Sequence, residues 1–274
     1  MSLTEISSSS NPRFRQWLEL VTSSKARAAQ QHALIEGEHL ARAWLDAGQG
    51  PVAEVVLPRR SGARRDLQGL CSQLSSSLCI VEDRLFDRLS QVEHGTGPLF
   101  VVPIRKLSHS GAIDEDAVFL DGVQDPGNVG TILRTAAAFG IRRVLTSPQT
   151  ADVWSPKVIR AAMGAHFVLT IDRDVDSQSL IAQAGLARIT AADPKAAMRI
   201  DQVDLRVARI WAFGSEGGGV SAPLSEAQTV VRLRIAHDSA MESLNVAVAA
   251  AICLHEQYRQ RHSVSASAGA LRSP

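Results

Sequence analysis

Apolar positions divide the chain into two stretches that each alternate helices with strands. In the first, helical spacing follows Asn11-Pro12 over Arg13–Ser23. It recurs from about Glu36 to Asp46, where Leu40, Ala43, Trp44 and Ala47 share one face until Gly48-Gln49-Gly50-Pro51 stops the helix. Val52–Leu57 and Leu78–Val81 read as short strands, Asp66–Leu74 and Arg84–Leu89 as helices. In the second stretch, buried-strand runs recur at Ala117–Leu120, Arg143–Thr146, Phe167–Ile171, Arg188–Ala191, Ile210–Phe213 and Val230–Ile235. Helical patterns fall between several of them, at Val129–Phe139, Pro156–Met163, Ser179–Ala184 and Asn245–Arg261. Such alternation predicts an α/β fold with a mostly parallel sheet covered on both faces. The expected organisation is a mobile, Ser-rich N-terminus (1–10), a small α/β domain (11–102), a polar linker (103–116), a larger α/β domain (117–262) and a disordered Ser/Ala-rich tail (263–274). Trp17 and Trp44 lie on apolar helix faces, which marks them as core rather than base-stacking platforms.

Composition narrows the class only a little. The 274 residues are 45% hydrophobic, with 29 Lys+Arg against 28 Asp+Glu. A net charge of +1 excludes a strongly basic nucleic-acid wrapper but not a local basic patch. Arg59-Arg60 and Arg64-Arg65 cluster around Gly62, either as a loop that grips RNA phosphates or as a solvated surface. Cys71, Cys79 and Cys253 are odd in number and lack zinc-site spacing, which points to a reducing, cytoplasmic setting. The N-terminus has no signal-peptide order and no apolar run suits a membrane span. The His residues suggest no metal site. Several chemistries lack their fingerprint. No G-x-G-x-x-G follows a strand, no phosphate-binding P-loop is present, and Phe213 stands where a serine-hydrolase elbow needs Gly before Ser215.

Three segments carry the candidate chemistry. Asp121-Gly122-Val123-Gln124-Asp125-Pro126-Gly127-Asn128-Val129-Gly130 leads from a strand into a helix that carries Arg134. Alone it fits an ordinary turn, with Asn128 as a helix cap and Arg134 on an exposed face. Phe213-Gly214-Ser215-Glu216-Gly217-Gly218-Gly219 holds four glycines after an apolar strand, which fits either a backbone-lined pocket with Glu216 as its ionisable group or a flexible loop. Glu242-Ser243-Leu244-Asn245 enters a helix of small residues, where Ser243 or Asn245 could serve as a cap.

In this order and spacing the three segments resemble the SpoU/TrmH family of RNA ribose 2′-O-methyltransferases, within the SPOUT superfamily. The motifs are D-x-V-x-D-P-x-N-x-G-x-x-x-R-T-A, G-S-E-G-x-G and E-S-L-N-V-x-V-A-x-A-I. Ile159–Phe167 adds the family's internal G-A segment, and Asn11-Pro12 with Leu34–His39 resembles its N-terminal domain. The resemblance covers about residues 11–261. It implies a SPOUT domain with a deep trefoil knot and a small N-terminal L30e-like RNA substrate-binding domain. It also implies S-adenosylmethionine (SAM) as the methyl donor, rRNA or tRNA as substrate, and a homodimer. Gly214, Ser215, Gly217, Ile235, Ser243, Leu244 and Asn245 would line the SAM pocket. Asn128, Arg134, Glu216 and Asn245 would form the catalytic group, with Arg134 also touching RNA. Because a guanidinium is a poor proton acceptor, Arg134 is read as a clamp that positions the ribose and steadies developing charge. One departure is Ala236, where the family usually has Pro after the Ile of the third motif; it changes the stiffness of the loop beside Ile235, at the cofactor's edge. A non-catalytic RNA-binding assembly factor on the same fold is the rival reading. Intact Arg134, Glu216, Ser243 and Asn245 weigh against it.

Overall fold

The computed structural model describes residues 2–93, 95–104, 111–238 and 240–262. The expected tail (263–274) and the centre of the expected linker (105–110) lie outside them. In chain order the first part runs β1 (Ser2–Ile6), α1 (Pro12–Thr22), α2 (Ser24–Gln30), β2 (His32–Glu36), α3 (Glu38–Asp46), β3 (Glu54–Pro58), α4 (Arg65–Leu74), β4 (Ser77–Val81), α5 (Asp83–Leu89) and β5 (Leu99–Pro103). The second runs β6 (Ala117–Asp121), α6 (Pro126–Ala138), β7 (Arg143–Thr146), α7 (Pro156–Ala162), β8 (Thr170–Asp172), α8 (Ser177–Gln183), β9 (Arg188–Ala192), β10 (Arg209–Gly214), α9 (Ala222–Glu226), β11 (Val231–Leu233) and α10 (Val246–His262).

The chain forms two compact units, the first comprising the described residues up to Ile104 together with Asp152–Phe167. Its five-stranded sheet has the order β1-β4-β3-β5-β2, with β1, β4 and β3 parallel and β5 antiparallel to β3 and β2. Asn11 caps α1, its side chain accepting from the Arg13 amide, and Pro12 supplies a first-turn residue that needs no partner for its nitrogen. Phe14, Trp17 and Leu20 of that helix are buried against Leu34, Val56, Cys79 and Phe86. Trp44 is buried too, so both tryptophans are core residues.

Three boundaries differ from the expectation. The N-terminus is not a loose tail: Ser2–Ile6 is an edge strand in register with Ser77–Val81, anchored by Ile6, which is buried. An edge strand needs only one partner's backbone, so its polar side chains can stay in water. Asp152–Phe167 groups with the first unit rather than the second. Arg27, itself buried, binds Asp152 at 2.7 Å, and Trp44 meets Phe167 edge-on with ring centroids 5.2 Å apart. Finally, the end of the expected linker is core of the second unit: Ile113 is fully buried and bridges Ala184.

The second unit holds a six-stranded sheet, parallel throughout, in the order β11-β9-β10-β6-β7-β8. Strands β6, β7 and β10 are buried along their whole length, as expected where helices cover both faces. Strands β6 and β10 lie side by side in the middle, with Gly214 opposite Asp121 at their carboxyl ends. Ligands of parallel α/β sheets bind beyond that edge.

Candidate active site

The three sequence segments all leave or approach this carboxyl edge. The first is organised by Asp125, not by Asn128 as expected. Asp125 is the N-cap of α6, accepting the Asn128 amide at 2.7 Å, and Pro126 occupies the first helical position. Pro there fixes the helix entry three residues earlier than apolar spacing alone suggested. Asn128 therefore sits inside the first turn with its side chain free to look outward.

That side chain is where the segments meet. Asn128 Nδ2 donates to Glu216 Oε1, and Asn128 Oδ1 accepts from Asn245 Nδ2 at 3.1 Å. Asn245 does a second job as the cap of α10, its Oδ1 accepting the amides of Ala247 at 2.9 Å and Val248 at 3.2 Å. A single amide so joins residues 88 and 117 positions away. Glu216 and Asn245 are exposed and Asn128 is half-buried, so the chain of bonds stays open to a substrate.

The glycine loop between them is held tightly at its base. Ser215 N donates to Gly219 O at 3.0 Å and Gly219 N to Ser215 O at 2.9 Å, closing a narrow turn. Gly214 is indispensable there, because a side-chain carbon would overlap the carbonyl of Gly219. Asp121, buried at the end of β6, accepts the Ser221 amide at 2.7 Å and so ties the loop's far end to the neighbouring strand. Ser147 and Thr150 hydroxyls accept the Gly122 amide at 2.9 and 3.1 Å. Asp121, Ser147 and Thr150 are supports that sequence reasoning gave no role. Asp121 stood inside the first motif, and its burial is what distinguishes it.

Arg134 lies on α6 two turns beyond Asn128, exposed, with no hydrogen bond or ion pair among the described residues. Glu216 and Gly217 are exposed, Ser215, Ile235 and Leu244 half-buried, and Gly214 buried. Ser243 is exposed and likewise makes no contact of that kind to a described residue. Around the departure from the family pattern, the His237 ring Nδ1–H donates to the Ile235 carbonyl at 2.8 Å, giving that loop a local brace. In the Arg59–Arg65 cluster, Arg59 pairs with Glu5 at 3.2 Å, Arg60 with Asp87 at 2.6 Å and Arg64 with Asp66 at 2.5 Å. Arg65 is exposed with no ion pair to a described residue. No group of three His, Cys, Asp or Glu among the described residues is arranged to hold a metal. No helix among them is long and apolar enough to cross a membrane.

Chemically the arrangement is a backbone-lined turn beside a carboxylate–amide–amide chain, with the Arg134 guanidinium, unpaired among the described residues, further along α6. The SpoU rRNA Methylase family model matches residues 116–255, the span that contains all of it. The chain belongs to this family. It is 31% identical to the 23S rRNA guanosine-2′-O-methyltransferase RlmP of Bacillus subtilis, over 92% of this chain and 98% of that one. It is 32% identical to the 23S rRNA guanosine-2′-O-methyltransferase RlmB of Nitrosomonas europaea, over 86% and 94%. A crystal structure of an RNA 2′-O ribose methyltransferase superposes with a TM-score of 0.76 at 29% identity, covering 94% of this chain and 99% of that one. The SpoU methyltransferase AviRb of Streptomyces viridochromogenes, solved with AdoMet, shares the fold with a TM-score of 0.81 at 24% identity, over 92% and 99%.

Proposed function

We propose that the protein transfers a methyl group from SAM to a ribose 2′-hydroxyl of RNA, with ribosomal RNA the substrate class suggested by its relatives. The observation that carries this reading is the convergence of Asn128, Glu216 and Asn245 on one hydrogen-bonded chain at the carboxyl edge of β6 and β10. The residues present fit SAM: the turn at Gly214 has no room for a side chain and presents backbone, and Glu216 and the two amides supply polar partners. Gly214, Ser215, Gly217, Ile235, Ser243, Leu244 and Asn245 would hold it, within the knotted C-terminal backbone that the family resemblance implies. Bound SAM would supply an electrophilic methyl on a sulfonium.

The chain's own residues supply alignment. Asn128 holds Glu216 and Asn245 in one geometry, which spares the reacting groups an entropic search. Arg134 clamps a phosphate beside the target ribose and stabilises charge as the hydroxyl loses its proton. The first unit is the proposed L30e-like RNA-binding domain. There Arg65 has no ion pair to a described residue, and Arg59, Arg60 and Arg64 would reach phosphate by exchanging carboxylate partners. An apolar stripe on α10, with Val248 49%, Ile252 37% and Tyr258 41% exposed, supports a homodimer through that face. Three buried free thiols suit a reducing cytoplasm.

The test is methyl transfer from labelled SAM to total RNA lacking the native mark, with Arg134→Ala as control. Incorporation by the wild type alone supports the reading. Equal background from both, with no thermal shift at saturating SAM, refutes it.

A further inference from the structure

The first unit contains a cavity of about 300 Å³ that none of the three motifs reaches. Its walls are mainly aliphatic, with Leu34, Leu40, Leu89 and Ile159 among them, and its charged groups are Glu36, Glu38 and Arg160, beside the polar Gln91 and Thr96. The floor is built rather than accidental. Glu36 Oε1 accepts from the Ser90 hydroxyl at 2.5 Å and Oε2 from the Gln91 amide at 2.7 Å, so its carboxylate staples the 90–97 loop in place. The loop then lies so flat that a side-chain carbon at Gly95 would come within 2.6 Å of Glu36 Oε1.

The two remaining charges are available. Glu38 meets Arg64 through Oε1 at 3.4 Å, and its Oε2 accepts no hydrogen bond from a described residue. Arg160 gives one N–H to the Gln91 carbonyl at 3.1 Å and makes no other hydrogen bond or ion pair to a described residue. A volume of this size sits at the small end of ligand pockets, too small for a folded RNA element and adequate for one base. An aliphatic slot with an acceptor pair and a donor fork matches guanine: N1–H and the 2-amino group face one carboxylate, while O6 and N7 accept from a guanidinium. Enzymes that act on RNA read unstacked bases in this way, by apolar stacking and hydrogen bonds to an edge.

We propose that this cavity binds an unstacked guanine of the substrate RNA, separate from the nucleotide that is methylated, with Glu38 and Arg160 reading its edges. The proposal rests on RNA being the substrate. It identifies a specificity-determining site in the N-terminal unit.

The experiment uses the full-length protein and fluorescein-labelled single-stranded hexaribonucleotides that differ at one position, guanosine, inosine or adenosine, read by anisotropy at fixed salt. Wild type should prefer guanosine over the other two by about 5- to 100-fold. Inosine lacks only the 2-amino group, so its loss isolates the Glu38 contact. Glu38→Gln should reduce the guanosine–inosine difference to under about twofold, and Arg160→Gln should weaken all three. A 6-thioguanosine hexamer should photocrosslink to peptides containing residues 89–99 or 156–160. Equal binding of the three hexamers by the wild type overturns the proposal. So does discrimination that survives both substitutions, or crosslinks confined to other peptides. Competition by free GMP at the same concentration as the hexamer would reassign the cavity to a free nucleotide and also overturn it. SAM-induced thermal shift is measured on the same samples. If that shift is present without base discrimination, only this inference falls; if it is absent while discrimination holds, the methyltransferase reading falls instead.

Discussion

Replacing Asn128 is the sharpest probe of the active-site geometry. Its amide joins the glycine loop to the entry of α10 through one bond to a carboxylate and one to an amide. A hydrogen bond to a charged group contributes about 1.5–3 kcal/mol and a neutral one about 1 kcal/mol once water is excluded. Asn128→Ala should therefore cost about 2–4 kcal/mol of transition-state alignment, which at about 1.36 kcal/mol per decade is a roughly 30- to 1000-fold fall in kcat/KM. In the free protein Glu216 and Asn245 are exposed and Asn128 is half-buried at the surface, so water replaces the lost partners. Tm should accordingly stay within about 3 °C of wild type. Asn128→Asp is nearly isosteric but turns the donor facing Glu216 into a second carboxylate, so it should damage activity at least as much as Ala. Glu216→Gln keeps an acceptor for the Asn128 Nδ2 and should be the mildest of the three. Single-turnover methylation with labelled SAM, alongside calorimetry, tests the order. An Asn128→Asp variant more active than Asn128→Ala, or an Asn128→Ala variant within threefold of wild type, would refute the role assigned to this chain of bonds.

Arg134→Ala should lower kcat/KM and flatten the dependence of RNA affinity on salt by about one unit of log–log slope, measured by filter binding across a salt series, while leaving SAM affinity within about twofold. Arg134→Lys should restore the salt slope but only part of the rate, because a point charge lacks the two-pronged fit of a guanidinium. Gly214→Ala should abolish the SAM-induced thermal shift, since the added carbon overlaps the Gly219 carbonyl and must displace the loop. Stability should also depend on pH through His166. The ring is buried, its Nε2–H donates to the Val153 carbonyl at 2.7 Å, and burial pushes its pKa down from 6.5 to about 4. The unfolded chain takes up the proton first, so unfolding free energy should fall between about pH 6.5 and pH 4, by up to ~3 kcal/mol. Denaturant titrations of His166→Gln should show a shallower slope in that window; an unchanged slope would count against it.

Some of this was readable in the residues and some was not, for physical reasons. The buried parallel strands announced themselves: Arg143–Thr146 begins and ends where the apolar run does, and β9 and β10 extend the expected runs by one residue or two. β1 was invisible because an edge strand with one buried anchor leaves no alternating pattern. β2 has no counterpart among the expected elements, because its apolar centre is only Ala33, Leu34 and Ile35, too short to show a period, and its last residue Glu36 falls in the expected helix; its sheet partner β5 is likewise absent from them. The motif residues were legible through their order along the chain. Their hydrogen bonds were not, since nothing in a string of letters reveals that Asn128 yields the cap to Asp125 and is thereby released to bridge Glu216 and Asn245. The Arg59–Arg65 cluster shows the opposite failure. A dense run of like charge suggested a free cationic loop, but Glu5, Asp87 and Glu38, all distant in sequence, engage three of its four members.

The precision of the site depends on a helix secured at both ends by polar groups, not only by packing. At its start Asn245 satisfies the first amides of α10 while holding Asn128. Near its end Gln257 and Arg261 both bind Asp116, the residue just before β6, and Gln257 also takes the indole N–H of Trp211 in β10 at 2.7 Å. Asp116 additionally accepts the Arg209 amide at 3.0 Å, so one carboxylate ties the base of both central strands to the same helix. The helix thus runs from the amino ends of β6 and β10, where Asp116 fixes it, to the residue that completes the site at their carboxyl ends. Apolar contacts alone would allow a helix of small residues to slide or rotate with little change in buried area. Directional bonds at both ends remove that freedom, and they make the position of Asn245 a consequence of the sheet itself. That is why a site assembled from surface side chains on three segments can still be well defined before any substrate arrives.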